Sequence, residues 1–233
     1  MAEVLHLNWQ TLSIFERFGI ALGFGEHTVK DVCELHQVNP DFFIEVVNVC
    51  NNKDYFPKDQ LHLFNITQII AYLKKSHAAY LDVKIPRIEQ LIHKLEWKDE
   101  AQRKNNKVLE NFFVGYKSEI VSHMAYEEAT VYPYATALTQ NSSDSNNNPH
   151  CDSDFKINTY AEVHDNIEEK LTDLRNIIIK YLPPPTEPLV SHQILSELFL
   201  LEKDLNEHSR IEDKILIPKI QHIERTIKDN IRK

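Results

Sequence analysis

One frame occurs twice in this chain: His-x-x-x-Glu, a second acid, four residues and a proline, at His123–Pro133 and again at His208–Pro218. A histidine and a glutamate four apart share one face of an α-helix, because 3.6 residues make a turn. Each copy therefore needs a helix that aims an imidazole and a carboxylate the same way. Each also lies within a long stretch whose apolar residues recur at spacings of three and four, the mark of an amphipathic helix.

Four such stretches are expected. The first runs from about Ile66 to Leu95, with Ile66, Ile69, Ile70, Leu73, Ile85, Ile88, Leu91, Ile92 and Leu95 on its apolar face. The second runs from Asp99, a candidate N-cap, to Leu138. The third spans Lys156 to Tyr181 and is stopped by Pro183, Pro184 and Pro185, which donate no amide and fix φ. The fourth spans Pro188 to Ile231. Short links, near Trp97 and across the proline run, make helices one and two, and three and four, antiparallel neighbours. The expected fold class is all-α, an antiparallel four-helix bundle over residues 59–233. Gln140 to Asp154 is polar and aperiodic and reads as a loop between the hairpins.

Residues 1–58 read as a small helical module. Asn8–Phe18, Thr28–His36 and Pro40–Cys50 are short helices, with Thr28 and Asn39 as N-caps and Pro40 at a first helical position. Tyr55–Leu63 is its linker.

Four glycines in 233 residues disfavour a turn-rich β fold and any glycine-rich phosphate loop. A net charge of −9 gives no basic footprint for nucleic acid. No apolar run is long enough for a membrane span, and the first residues do not read as a secretory signal. Cys33, Cys50 and Cys151 form no disulfide framework or Cys-x-x-Cys pair, so a cytoplasmic protein with reduced thiols is expected.

A single His-x-x-x-Glu is usually an ion pair on a helix surface. The repeat changes that reading, because each copy is preceded by a histidine on the previous helix. His77 precedes His123 by 46 positions, and His164 precedes His208 by 44. About each hairpin turn the partners fall at similar heights, so six side chains converge when the hairpins pack. The expected metal ligands are His77, His123, Glu127, His164, His208 and Glu212. Imidazole and carboxylate suit iron, and a carboxylate can join two metals, so a dinuclear non-haem iron site is expected. Glu128 and Asp213, at i+5, should turn away from the histidines. Glu119 and Asp204, at i−4, share the ligand face, either as acceptors behind the ligands or as ordinary surface acids. The other eight histidines lie outside the frame.

These residues resemble the hemerythrin-like superfamily and, more closely, the repair-of-iron-centres di-iron proteins. The similarity is carried by Tyr72–Tyr80 with His77 and Pro86, by His164 in Tyr160–His164, by the two frames, and by Ile14–Ile20 and Thr28–Cys33 in the module. It departs at Ala21–Phe24, where the family has a cysteine pair, and at Ala78, where a second histidine is common. The resemblance implies two irons on four histidines and two glutamates, with Glu127 and Glu212 bridging. It implies a part in repairing iron–sulfur clusters after nitrosative or oxidative stress, by donating iron or by binding and reducing nitric oxide. Nitric oxide or oxygen, damaged iron–sulfur client proteins and a second copy in a homodimer are the partners it suggests. A diatomic-gas or redox-sensing module is the alternative, and catalytic turnover is left open.

Overall fold

A computed structural model describes residues 1–57, 60, 63–141, 155–163 and 169–231. His164 and most of the expected loop over Gln140–Asp154, with Cys151, lie outside the described residues. The fold is all-α, with no strand among the described residues.

The module holds α1 (Ala2–Leu7), a 3-10 turn (Trp9–Thr11), α2 (Leu12–Phe18), α3 (Val29–Leu35) and α4 (Pro40–Asn51). The last two follow the expected boundaries to within a residue, while the expected Asn8–Phe18 helix is the 3-10 turn followed by α2. Thr28 closes a capping box with Asp31, and Asn39 Oδ1 accepts from the Phe42 amide at 3.0 Å. The α1 helix was not expected; it has no buried residue and hence no apolar stripe to announce it.

Helix one is α5 (Ile66–Ala78), a π turn (Ala79–Lys84) and α6 (Ile85–His93). Asn65 caps it through the Thr67 amide, at 2.8 Å. Helix two is α7 (Glu100–Tyr126), a π turn (Glu127–Val131) and α8 (Tyr132–Asn141). The third stretch comprises α9 (Ile157–Val163), α10 (Glu169–Asn176) and a π turn (Ile177–Tyr181). The fourth comprises α11 (Pro188–Ile211), a π turn (Glu212–Leu216) and α12 (Ile217–Ile231).

All four π turns end the same way. The amides of Ile85, Tyr132, Leu182 and Ile217 reach back five residues, to the carbonyls of Tyr80, Glu127, Ile177 and Glu212. A proline follows each: Pro86, Pro133, Pro183 and Pro218. Inside a helix, proline removes the i→i−4 amide and its ring pushes on the carbonyl at i−4. Slipping the preceding turn into i→i−5 register widens the helix there and accommodates the ring. Three of these helices then continue; at Pro183, followed by two more prolines, the chain leaves the helix. Such π bulges are frequent at functional sites.

The described chain divides into two compact units. Met1–Ser76, Tyr134–Glu162 and Glu207–Lys233 form one; His77–Pro133 and Val163–Asn206 form the other.

In the first unit the module packs on α5 through aromatic rings. Phe15 meets Phe43 edge-on at 5.3 Å between centroids, and Phe18 lies 5.0 Å from Tyr72. Arg210 of α11 donates to the carbonyls of Val49 and Cys50 at the end of α4, at 3.2 and 3.0 Å. A cation is well placed against the negative end of a helix. Cys33 and Cys50 are buried, and burial pushes the Cys33 thiol up to about 11. That makes Cys33 a small core residue rather than a reactive thiol.

In the second unit four helices share one apolar core. Ile85, Ile88 and Ile92 come from helix one, Leu109, Phe113 and Ile120 from helix two, Leu171 and Leu174 from α10, and Ile194, Leu198 and Leu201 from α11. All eleven obey the expected three- and four-residue periodicity. Truncating one of them to alanine should cost about 2–5 kcal/mol. The two hairpin links are tied together by the Thr186 amide, which donates to Glu96 O at 2.8 Å.

Candidate metal centre

The first frame and the histidine before it belong to the second unit. His77, at the end of α5, is buried, and both of its ring nitrogens meet carboxylates. Nδ1 lies 2.8 Å from Glu128 Oε1, and Nε2 lies 3.2 Å from Glu127 Oε2. The other Glu127 oxygen lies 2.8 Å from His123 Nε2. Glu127 is fully buried, held between two imidazoles.

This donor set fits a cation. A buried carboxylate costs several kcal/mol unless its charge is matched. Here the match comes from protons on the two facing nitrogens, or from a metal ion in their place. His77 and His123 thus place one imidazole at each oxygen of Glu127, donors of the kind that suit a metal ion. With a metal in that place, Nδ1–H donated to Glu128 would leave Nε2 as the lone-pair nitrogen of His77.

Glu128 corrects the helical-wheel expectation. It does not turn away from the site but holds the far nitrogen of His77. The π turn that begins at Glu127 explains it: with a wider turn, successive residues rotate less about the axis than in an α-helix, so Glu127 and Glu128 both face His77. Tyr132 was missed altogether. Its hydroxyl lies 3.2 Å from His77 Nε2, and its ring stacks on the imidazole, 5.7 Å between centroids with planes 20° apart. The only signal was its position, the residue before Pro133.

The candidate acids at i−4 divide. Glu119 is half exposed and pairs with Lys170, an ordinary surface acid. Asp204 is buried and pairs with Lys84, while its carbonyl accepts from the Tyr80 hydroxyl at 3.0 Å. It therefore fastens α11 to the π turn that follows His77.

The second frame belongs to the first unit. His208 and Glu212 are both buried, with Nε2 3.5 Å from Oε1. Glu212 opens a π turn, as Glu127 does.

The profile of the hemerythrin HHE cation-binding domain matches residues 68–220, a span that contains both frames and their preceding histidines. Comparison with curated proteins finds no match to the chain.

Proposed function

Since this chain belongs to the hemerythrin HHE cation-binding family, we propose that it holds two irons in one centre, on His77, His123, Glu127, His164, His208 and Glu212. Domains of this family bind metal ions, typically iron. No described helix is long and apolar enough to cross a membrane. The observation that carries the proposal is Glu127, fully buried with an imidazole nitrogen at each oxygen. The second frame repeats the same donors with the same π turn, and two carboxylates that can each bridge would let the six side chains serve two metals.

The role we propose is repair of iron–sulfur clusters under nitrosative or oxidative stress. It is supported by the similarity of both frames, of Tyr72–Tyr80 and of the module to the repair-of-iron-centres proteins. In this chain the work falls to the centre itself, because Ala21–Phe24 has no thiol. Bound ferrous iron would supply the nitric oxide chemistry or the iron to be donated. The residues hold it, and Glu128 orients His77 from behind.

The test has two stages. Protein loaded anaerobically with ferrous iron should contain about two irons per chain by elemental analysis and give a nitrosyl signal with nitric oxide. It should then restore activity to a nitric oxide-damaged cluster enzyme, and Glu127→Gln should not. One iron or none in folded protein removes the dinuclear centre; two irons without any restoration removes the repair role. Tyr132 favours a second reading, a diatomic-gas module, since its hydroxyl puts a hydrogen-bond donor beside a proposed ligand atom. Reversible oxygen binding without repair would select that reading.

A further inference from the structure

We propose that the N-terminal module and α5 together form a second site, independent of the iron centre, for a small organic anion. It is a cavity of about 270 Å³ between α2, the end of α3, the start of α4 and α5. That is near the lower end of the range for small-molecule sites.

Its lining residues are of two kinds. Arg17, Lys75 and His36 are among its lining residues. Arg17 is almost fully buried, and its guanidinium lies 5.9 Å from the Tyr72 ring centre. The Lys75 ammonium lies over Gly19, 3.7 Å from the point a β-carbon would occupy. Phe18, Phe42 and Tyr72 line it as well. None of the described residues lining the cavity is an Asp or Glu, although the chain as a whole carries −9. A pocket of donors and cations in an acidic protein selects against cations and for an anion.

The helix ends around the cavity are already satisfied. At the end of α2, Gly19 N donates to Glu16 O at 2.9 Å and Ile20 N to Phe15 O at 2.8 Å. At the end of α3, Gln37 N donates to Glu34 O at 3.1 Å and Val38 N to Cys33 O at 2.8 Å. Gln37 also lines the cavity and holds φ at 57°, a left-handed conformation that glycine would adopt more cheaply.

The ligand class follows from the two kinds of lining residue: a carboxylate or phosphoryl head for Arg17 and Lys75, on a flat apolar body for the aromatic rings. Charge-assisted hydrogen bonds to such a head are the strong ones, and Arg can bind it through two of its donors.

The test uses the full-length, iron-loaded protein and three probes in calorimetric titration: benzoate, phenyl phosphate and neutral benzamide. The site requires saturable binding of one or both anions, one per chain. A preference between them tells carboxylate from phosphoryl. Benzamide should bind about tenfold more weakly or not at all. Arg17 is too buried for a clean first variant, so the exposed Lys75 is the one to change. Lys75→Glu should weaken binding about tenfold or more. Lys74→Glu, the same charge change one residue away and off the cavity wall, should leave it within about twofold, with both variants folded by circular dichroism. Absence of saturable binding by either anion overturns the site. So does equal loss in the two variants, which would place the anion on iron or on the general field, and so does equal binding of benzamide.

Discussion

The two copies of the His-x-x-x-Glu frame differ more in their surroundings than in their backbones. In both, the glutamate opens a π turn that ends two residues before a proline. Around the first copy, Glu127 is gripped by two imidazoles, with Glu128 and Tyr132 reaching His77 as well. In the second, His208 and Glu212 stand 3.5 Å apart, and Ile217 and Asp213 take the places of Tyr132 and Glu128. His123 is partly exposed, whereas His208 is buried. A repeated frame thus dictates the local turn, while the unrepeated residues between its fixed positions decide how firmly each donor is held.

The harshest way to break this comparison is to remove the glutamates. Glu127→Ala and Glu212→Ala should each take iron content from about two per chain to one or none, because each removes a carboxylate shared by the proposed ligand set. Elemental analysis after anaerobic loading is the check. If one variant keeps both irons, its copy is not part of the centre.

The prolines come next. Pro133→Ala and Pro218→Ala restore an amide donor and remove the ring that forces the wider turn. The local helix should return toward i→i−4 register, rotating the glutamate against its histidine. Chelator competition should show iron held roughly tenfold less tightly. Unchanged affinity in both would mean that packing, and not proline, sets the π turns.

The acids after the glutamates sharpen the contrast. Glu128→Gln should weaken iron binding by roughly 10- to 100-fold, the usual cost of losing a carboxylate behind a ligating histidine. Asp213→Asn should have a smaller effect. Equal effects would show that the two copies are supported alike. Tyr132→Phe keeps the ring stack and deletes one hydrogen bond, so a loss of about 1 kcal/mol in iron binding is expected. A larger loss would make the hydroxyl part of the ligand set.

The smallest effect on iron should come from outside both frames. Cys33→Ala with Cys50→Ala should leave iron content and nitric oxide reactivity unchanged. Cys33 should matter to stability instead. Its folded pKa, about 11, stands above its ordinary value of 9.0, so the folded state keeps its proton longer. That contribution is intact below about pH 9 and is lost as pH rises towards 11. Denaturant titrations at pH 8 and 10.5 should show a drop in the wild type that Cys33→Ala reduces.

Much of the fold could be read from residue order. Asn65 starts helix one and Pro183 ends the third, and both act within one turn of the chain. Thr28 and Asn39 likewise cap α3 and α4 where their side chains predict. The α1 helix could not be read, because nothing in it is buried. Of the six proposed ligands, the structure brings His77, His123 and Glu127 together and pairs His208 with Glu212, while His164 lies outside the described residues.

The sequence by itself determined the helices, their caps, the prolines and the spacing of the donors, because each depends on neighbours a few residues away. Only the tertiary structure decided which acids meet which imidazole nitrogens. Glu128 and His77 stand 51 positions apart, and Tyr132 and His77 stand 55 apart. Their contacts depend on how one helix is rotated against another, and a π turn alters that rotation without changing the periodicity by which a helix is recognised.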